Sequence, residues 1–432
     1  MEKTTDKLNL FLQKIIPRFR YTIFTGTNSF SEWVLMLKEL LFAAPYRNEK
    51  KISEYEQAFA KVCGAQHGIS FGAGRMALYS ILKAMGIGND DEIVIPAFTC
   101  VVVPNAMIYM GITPVYVDID PVFFNIDTAK IEEAITPRTK ALYAQHTFGV
   151  ICNMEELRAI AHKYNLPIIE DAAHALGAVY DNKPAGSLTE VAFFSTDHSK
   201  VINTHLGGMA VTNDDALAGR LRDIQKASPF LEKKRVRKLI RSFLLEYLFL
   251  LPAFFWLGRF GMAAFHRIGS FFFFLDELKI KKPENYPYPC RMSSAQARLG
   301  LSQLHSLGVN LAHRRKMVNM LEQKICWTGF SQNEIDRFAW LRYSFMVKDR
   351  SKFEAAFSRH FELGTWFTSV VGGRTENLEQ VGYTEGSCPV AETVVRHVVN
   401  LPTHKKIPLQ RMEKYVDVNL NWLTGDILAR TR

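Results

Sequence analysis

The sequence lacks the features that mark several common classes of protein. Its six cysteines are scattered, with no CxxC pair and no zinc-like spacing. This predicts free thiols in a reducing cytoplasm and no metal site. HExxH, GxSxG and Walker GxxxxGK motifs are absent, which excludes the chemistries that they mark. The first twenty residues mix charged and apolar positions, so no secretory signal is expected.

The net charge of +10 is uneven along the chain. Residues 229–289 contain eleven Lys or Arg and five Asp or Glu, so this stretch carries +6 and the remainder only +4. A nucleic-acid-binding protein usually carries a basic face interleaved with aromatic stacking positions across its fold. We therefore expect no nucleic-acid partner.

At 432 residues the chain is long enough for two or three domains. Short apolar runs alternate with helical patterns such as 75–85 and 153–163, and these runs predict strands at 92–96, 114–118, 140–145, 167–170, 191–194 and 208–212. This order predicts an α/β fold with a mostly parallel central sheet and helices on both faces. Ligands bind at the carboxyl ends of such strands.

We divide the chain into four parts. Residues 1–45 form an N-terminal helical extension, 46–228 a large α/β domain, 229–287 a hydrophobic and basic insertion, and 288–432 a linking helix with a smaller C-terminal α+β domain. The pattern predicts one long linking helix at 292–324, a strand at 341–347 and a closing helix at 407–423.

The insertion joins the basic segment EKKRVRKLIR to a strongly apolar stretch. Glu246, Pro252 and Arg259 interrupt that stretch, so no run of about 20 apolar residues remains for a transmembrane helix. One interpretation is an amphipathic hairpin lying on a membrane surface, which the clustered basic residues favour. The other is an apolar hairpin buried against this chain or a second subunit.

Two charged residues follow neighbouring strands. Asp171, in IIEDAAHALGA, could pair with a protonated ring nitrogen and keep that ring an electron sink, or could simply cap a helix. Lys200, at the end of STDHSK, is an ordinary solvated charge if it acts alone. In a cleft near an aspartate it would be desolvated, and its amine could attack an aldehyde. The ordered set of both motifs, followed by a Gly-Gly pair, favours the second interpretation.

A phosphate site is predicted at SFGAGRMALYSILKAMGIG. Gly72 and Gly74 allow close approach to the start of a helix, whose amides bind anions. The same stretch also resembles the start of a dinucleotide fingerprint, although only its first two glycines are present and Ala77 stands at the third position. A helix N-terminus that binds a single phosphate fits equally well. At the end of another strand, His146 either contacts substrate or caps the chain.

Together these motifs resemble the DegT/DnrJ/EryC1/StrS family of nucleotide-sugar aminotransferases, which depend on pyridoxal phosphate (PLP) and have fold type I. The resemblance covers residues 45–228 and 288–415. Besides the motifs above, it is carried by DEIVIPAFT, RMSSAQARLGLSQL and CPVAETVVRHVVNLPTH.

The resemblance implies that Lys200 forms the Schiff base with PLP and that Asp171 pairs with the pyridine nitrogen. The other cofactor-binding positions that it implies are Gly74, Arg75, Met76, Cys100, His174 and Ser195. It also implies a homodimer whose active site lies at the subunit interface. Relatives that dehydrate sugars carry histidine at the lysine position, whereas this chain keeps Lys200.

The chain departs from the family at three places. Cys100 replaces an aromatic residue that stacks on the cofactor, a role that Phe98 could take. Pro289 replaces an asparagine, and FAAPYRNEKKI replaces the usual substrate loop.

The activity that the resemblance implies is amino transfer from an amino acid, glutamate by expectation, to a keto-sugar linked to a nucleotide, for polysaccharide or glycan synthesis. The alternatives are a related PLP enzyme, either a sugar dehydratase or an aminotransferase of another ketone, and a non-catalytic membrane-associated scaffold. We expect a cytoplasmic protein, with peripheral contact at the inner membrane face if residues 229–287 meet a membrane.

Overall fold

The structure is a computed structural model that describes residues 20–42, 46–267, 282–364 and 366–428. Its strands are β1 (His67–Phe71), β2 (Glu92–Pro96), β3 (Thr99–Cys100), β4 (Thr113–Val117), β5 (Thr139–Gln145), β6 (Ile168–Asp171), β7 (Val179–Tyr180), β8 (Lys183–Pro184), β9 (Val191–Ser195), β10 (Gly208–Thr212), β11 (Arg342–Met346), β12 (Val371–Gly372) and β13 (Val398–Pro402).

Its α-helices are α1 (Phe30–Leu41), α2 (Glu49–Val62), α3 (Gly74–Met85), α4 (Val102–Ile108), α5 (Met154–Tyr164), α6 (Asp215–Ala227), α7 (Lys233–Phe249), α8 (Phe255–Arg267), α9 (Ser294–His305), α10 (Leu307–Ile325), α11 (Gln332–Ile335), α12 (Arg350–Phe357), α13 (Pro389–His397) and α14 (Leu409–Asp426).

The central sheet has seven strands in the order β1-β10-β9-β6-β5-β2-β4. All neighbouring pairs are parallel except the two that involve β10. The predicted mostly parallel sheet is therefore confirmed. Each predicted strand is present within one residue of its expected ends, and β1 was not predicted.

Alternate residues of the strands pack on opposite faces of the sheet. On β5, Ala141 and Tyr143 belong to one hydrophobic core, while Leu142 and Ala144 belong to another. Neither set of alternate residues on β5 is polar, which is the pattern expected for a strand in a sheet that is covered on both faces. Side chains that could act on a ligand are therefore expected at the ends of the strands.

The C-terminal part is smaller and contains the antiparallel pair β11 and β13, packed with α10, α12 and α14. The predicted α+β character is confirmed. The single linking helix at 292–324 was wrong, because the chain breaks at Ser306 (φ −97°, ψ 5°) between α9 and α10. Both the N–H and the hydroxyl of Ser306 donate to the carbonyl oxygen of Gln303 and so close α9.

The insertion forms α7 and α8, and residues 268–281 of it lie outside the described residues. One face of α7 is buried in the main core beside α1, through Val236, Leu239, Ile240, Phe243 and Leu244. In contrast, α8 leaves Leu257 and Phe260 exposed. Within the described ranges, no helix combines the length and the apolar character needed to cross a membrane.

Candidate active site

One pocket lies where the carboxyl ends of β5, β6 and β9 meet the start of α3. It is a partly open cavity with a volume of about 110 Å³. The predicted site residues that line it are Gly74, Arg75, Cys100, Asp171, His174, Ser195 and Lys200. Met76 does not line it, because its side chain is fully buried and its N–H donates to the carbonyl oxygen of Ala73.

Asp171 is the last residue of β6, and its carboxylate is held from two sides. Tyr143 donates its hydroxyl to Oδ2 at 2.6 Å, and the N–H of Ala173 donates to Oδ1 at 2.9 Å. Burial raises the pKa of Asp171, while Tyr143 and Lys200 act in the opposite direction. No helix follows at residues 172–178, so the helix-cap interpretation was wrong. A buried, oriented carboxylate is suited to pairing with a cation.

Lys200 lies in the loop between β9 and β10. Its Nζ is 4.6 Å from the centre of the Trp366 ring, and its backbone N–H donates to the carbonyl oxygen of Asp197. Burial lowers the pKa of Lys200, against the opposing charges of Cys100, Asp197 and Asp171. The side chain is thus a half-buried amine within a pocket rather than a solvated charge.

The start of α3 forms a cradle for an anion. Ala73 is the N-cap residue of α3 and makes no side-chain cap, and both Ala73 and Gly74 line the pocket, so the positive end of the helix faces it. A Cβ on Gly74 would lie 2.8 Å from the Cβ of Ser195, and one on Gly208 would lie 2.3 Å from the carbonyl oxygen of Ala73. These two glycines therefore permit a close backbone approach that any larger residue would prevent.

An aromatic wall closes the pocket on the side of the C-terminal part. The rings of His174 and Trp366 stack at 5.5 Å and 10°. Nδ1 of His174 accepts the N–H of Phe148, and burial lowers the pKa of the ring well below its usual value, so His174 is neutral with its proton on Nε2. Phe98 is fully buried against Phe124 and Phe367, away from the pocket, and does not replace Cys100.

His146 borders the pocket, but its ring is engaged elsewhere. Nε2 is 3.2 Å from Glu170 Oε1, and Nδ1 faces Cys152. Burial acts to lower the pKa of His146, yet Cys152 and Glu170 outweigh it and raise the pKa to about 10. The His146 side chain does not cap the short 3-10 helix that follows it. It belongs to the framework that holds β5 against β6.

The family model for the DegT/DnrJ/EryC1/StrS aminotransferase family matches residues 31–418. The chain belongs to this family.

Among curated relatives, the GDP-perosamine synthase of Caulobacter vibrioides is 38% identical over 278 residues, which are 64% of this chain and 62% of that protein. The chain thus matches less than two thirds of that relative. The spore coat polysaccharide biosynthesis protein SpsC of Bacillus subtilis is 29% identical over 370 residues, 82% of this chain and 85% of its own.

Two solved structures have the same fold. DesI, in the presence of its TDP-sugar product, superposes with a TM-score of 0.69 at 22% identity, over 95% of this chain and 93% of DesI. NtdA of Bacillus subtilis, with bound cofactor PMP, superposes with a TM-score of 0.67 at 21% identity, over 92% of this chain and 82% of NtdA. The predicted membership of this aminotransferase family and the predicted fold are confirmed.

Several residues of this aminotransferase site escaped the sequence analysis. Asp197 and His198 form an ion pair of 3.0 Å within the STDHSK motif. Burial acts to lower the pKa of His198, but the Asp197 carboxylate outweighs it and raises the pKa to about 9. The sequence feature that could have indicated this ion pair is the adjacency of two ionisable residues in a predicted loop. No local sequence feature indicates Trp366, because it reaches the pocket from the C-terminal part.

A further unpredicted contact ties the insertion to the Lys200 loop. Glu246 of α7 is 4% exposed, and its Oε2 lies 3.6 Å from Nδ1 of His205. His205 has a φ of 68°, a region that L residues seldom occupy, and its ring is 6.0 Å from that of His198. The insertion thus supplies a carboxyl group behind the loop that carries Lys200.

Proposed function

We propose that this protein is a PLP-dependent aminotransferase that moves an amino group from an amino acid, glutamate by expectation, to a keto-sugar linked to a nucleotide. The observation that carries the proposal is the pocket in which Lys200, Asp171 and the glycine-lined start of α3 converge. Amine, carboxylate and anion cradle are the three groups that PLP requires, so the residues present fit the cofactor.

Each residue then has a defined task. When bound, PLP supplies a pyridinium ring that withdraws electrons from the reacting carbon. Asp171 holds the proton on the ring nitrogen, and Tyr143 keeps that carboxylate in place. The amides of Gly74 and Arg75, with the hydroxyl of Ser195, bind the phosphate.

Lys200 has two tasks in this proposal. Burial lowers the pKa of Lys200, so its Nζ would be the amine that holds the cofactor through its aldehyde carbon. The same Nζ would be the group that moves the proton of the donor's Cα.

The substrate class rests on the relatives. GDP-perosamine synthase is named for a nucleotide-linked sugar, DesI was solved in the presence of its TDP-sugar product, and SpsC is named for polysaccharide biosynthesis. We therefore infer that the product feeds polysaccharide or glycan synthesis.

The cofactor roles are tested by absorption spectroscopy. The purified protein should show a visible band that sodium borohydride removes, and Lys200→Ala should lose the band while keeping its fold. Lys61→Ala, an exposed lysine on α2, serves as the control. Protein that stays colourless with added PLP would sink the proposal and favour a non-catalytic scaffold.

The reaction is tested with a panel of nucleotide-linked keto-sugars and amino donors. We expect an amino-sugar product and the keto acid of the donor in equal amounts. Loss of water without a new amine would indicate a sugar dehydratase instead. Amination of simple ketones alone would indicate another aminotransferase.

We further propose a homodimer, because the family resemblance places the active site between two subunits. Light scattering should give about twice the chain mass of 49.3 kDa. A single-chain mass for active protein would remove this part of the proposal.

Peripheral contact with the inner face of a membrane is proposed for a protein that works in the cytoplasm. Five basic residues of α7 share one depression with Leu40 and Leu41 of α1, namely Lys233, Lys234, Arg237, Lys238 and Arg241. Basic side chains beside exposed apolar ones suit an anionic lipid surface. Replacing Lys234, Arg237 and Arg241 with glutamine should release the protein from phosphatidylglycerol vesicles. Unchanged binding would contradict the proposal.

A further inference from the structure

A continuous set of hydrogen bonds runs through the loop that carries Lys200. The backbone N–H of Lys200 donates to the carbonyl oxygen of Asp197 at 3.0 Å, and the N–H of His198 donates to Asp197 Oδ1 at 2.7 Å. The side-chain amide of Asn203 donates to the carbonyl oxygen of His198 at 3.1 Å, and its Oδ1 accepts the N–H of His205 at 2.6 Å. Lys200 and His205 are therefore connected by bonded groups.

Helix α7 of the insertion packs on the His205 end of this loop. Phe243 and Glu246 are three positions apart on α7 and so share one face of it. The ring of Phe243 meets the His205 ring edge-on at 6.2 Å, and Glu246 Oε2 lies 3.6 Å from His205 Nδ1. The side chains of all three residues are buried. The insertion thus encloses the imidazole of His205.

The backbone of His205 needs this support. Its φ of 68° lies in a region that L residues seldom occupy. Such a conformation persists only where the surrounding structure holds it in place. Here the bond from the N–H to Asn203 fixes the backbone, and the contacts with Phe243 and Glu246 fix the ring. The shape of the loop therefore depends on α7.

The same residues also connect the two sites by charge. Asp197 lines the pocket together with Lys200. Burial lowers the pKa of Lys200, and the Asp197 carboxylate is among the charges that oppose this shift. Burial acts to lower the pKa of His198, the Asp197 carboxylate outweighs it, and the charges of Glu246 and Lys200 act on His198 in opposite directions. A change of charge at Glu246 is therefore felt beside the reacting amine.

Glu246 can gain or lose its proton near neutral pH. Burial raises its pKa to about 7, His198 opposes the shift, and Asp197 and Glu362 reinforce it. These three groups come from the Lys200 loop and from the C-terminal part. His205, the nearest ionisable side chain, stays neutral because burial lowers its pKa to about 3. Glu246 is thus the group of this contact whose charge changes.

We propose that Glu246 is a positioning residue for Lys200 and acts on it through the bonded loop that ends at His205; the inference rests on the proposed aminotransferase function. Glu246 holds the His205 ring in place, and it adds a negative charge behind the loop when it loses its proton. Both effects reach the amine that the reaction uses. The insertion thereby helps to set the proton affinity of Lys200.

The first test measures Lys200 itself, in the full-length protein without PLP. Trace acetylation with acetic anhydride at a series of pH values, read by mass spectrometry, gives a titration midpoint for each lysine. Glu246→Gln has the same shape but cannot ionise. It should move the Lys200 midpoint to lower pH by about 0.5 unit, because a negative charge that favours the protonated amine is lost. The midpoint of the exposed Lys61 should not move.

The matched control is Glu232→Gln. Glu232 precedes the first turn of α7 and is exposed, so this variant removes a carboxylate from the same helix away from the His205 contact. We expect its Lys200 midpoint to equal that of the unmodified protein.

Kinetics of the PLP-loaded protein provide the second test. Glu246→Gln should lower kcat about tenfold and leave KM unchanged for both substrates, because proton transfer at Lys200 is altered while the substrate contacts remain. His205→Asn removes the ring but keeps a residue that tolerates a positive φ, and it should cause a similar loss. The double variant should lose no more than either single variant. If Glu246→Gln does not fold, His205→Asn decides the question by the same values.

The outcomes separate this inference from the proposed function. A lower melting temperature with an unchanged Lys200 midpoint and kcat in Glu246→Gln would overturn the inference and leave Glu246 a packing role. Additive losses in the double variant would also overturn it, because Glu246 would then act without His205. A shifted Lys200 midpoint in a protein that aminates no keto-sugar would support the inference and refute the sugar substrate.

Discussion

The carboxyl edge of the central sheet and the inserted helices α7 and α8 are both rich in apolar residues, but they use them differently. At the sheet edge, buried strands deliver polar side chains such as Asp171 and Ser195 to one pocket. In the insertion, the apolar residues of α7 enter the core, while those of α8 lie partly in solvent. Similar composition therefore has two structural outcomes.

The spacing of residues within α7 explains its burial. Val236, Ile240 and Phe243 recur at three and four positions and face the core, while Lys234 and Arg241 lie on the opposite face. The basic residues that favoured a membrane interpretation are thus the solvent side of an ordinary amphipathic helix. What distinguishes the insertion is that α8 leaves the large apolar side chains of Leu257 and Phe260 exposed.

The largest expected effect lies at the sheet edge. Asp171→Asn removes the buried charge that would hold a protonated ring nitrogen, and loss of one partner of such a pair costs about 2–5 kcal/mol. We expect kcat to fall by roughly 10³-fold, measured by coupled assay of the donor's keto acid. Tyr143→Phe, which removes only the hydroxyl that orients Asp171, should cost about tenfold. Equal losses in both variants would contradict separate roles for the charge and its orientation.

Stability measurements can test the difference in burial between α7 and α8 of the insertion. Phe243 is 2% exposed and Leu257 is 73% exposed. Phe243→Ala should lower the free energy of unfolding by about 3–5 kcal/mol through the cavity it leaves. Leu257→Ala should change it by less than about 0.5 kcal/mol. Urea denaturation followed by circular dichroism measures both. A large loss for Leu257→Ala would mean that α8 is covered, for example by a second subunit.

A smaller, pH-dependent effect is expected where the two regions meet. Burial raises the pKa of Glu246 to about 7, against about 4.5 for an exposed glutamate, while the neighbouring His198 cation opposes and Asp197 and Glu362 reinforce the shift. Folded Glu246 therefore retains a proton that the unfolded chain releases. The stabilisation that this proton gives the folded protein has its full value below pH 4.5 and is lost as the pH rises through 7.

Glu246→Gln should abolish this dependence, since an amide does not titrate. Between pH 5 and 8 the unmodified protein should lose up to about 3 kcal/mol relative to the variant, measured by urea denaturation at each pH. His205 has a pKa of about 3, lowered by burial, and stays neutral across this range. Parallel pH profiles for the two proteins would show that Glu246 is ionised in the fold.

The sequence allowed prediction where the signal is local. Buried parallel strands are short apolar runs, so the six predicted strands of the sheet were found together with the residues at their ends. Ser306 broke the predicted linking helix because its own side chain competes for the carbonyl oxygen of Gln303, which a periodicity pattern does not register. Membership of β1 in the sheet depends on pairing with β10, a partner far along the chain.

By itself, the sequence determined the family, the α/β sheet and the placement of Lys200 and Asp171 in one pocket at the carboxyl edge of the sheet, because these depend on short motifs and their order. Only the tertiary structure decided what surrounds Lys200. Trp366 and Arg342 come from the C-terminal part and Glu246 from the insertion, each brought near by packing between segments distant in sequence. Burial and charge at such contacts depend on the whole fold, and no local pattern encodes them.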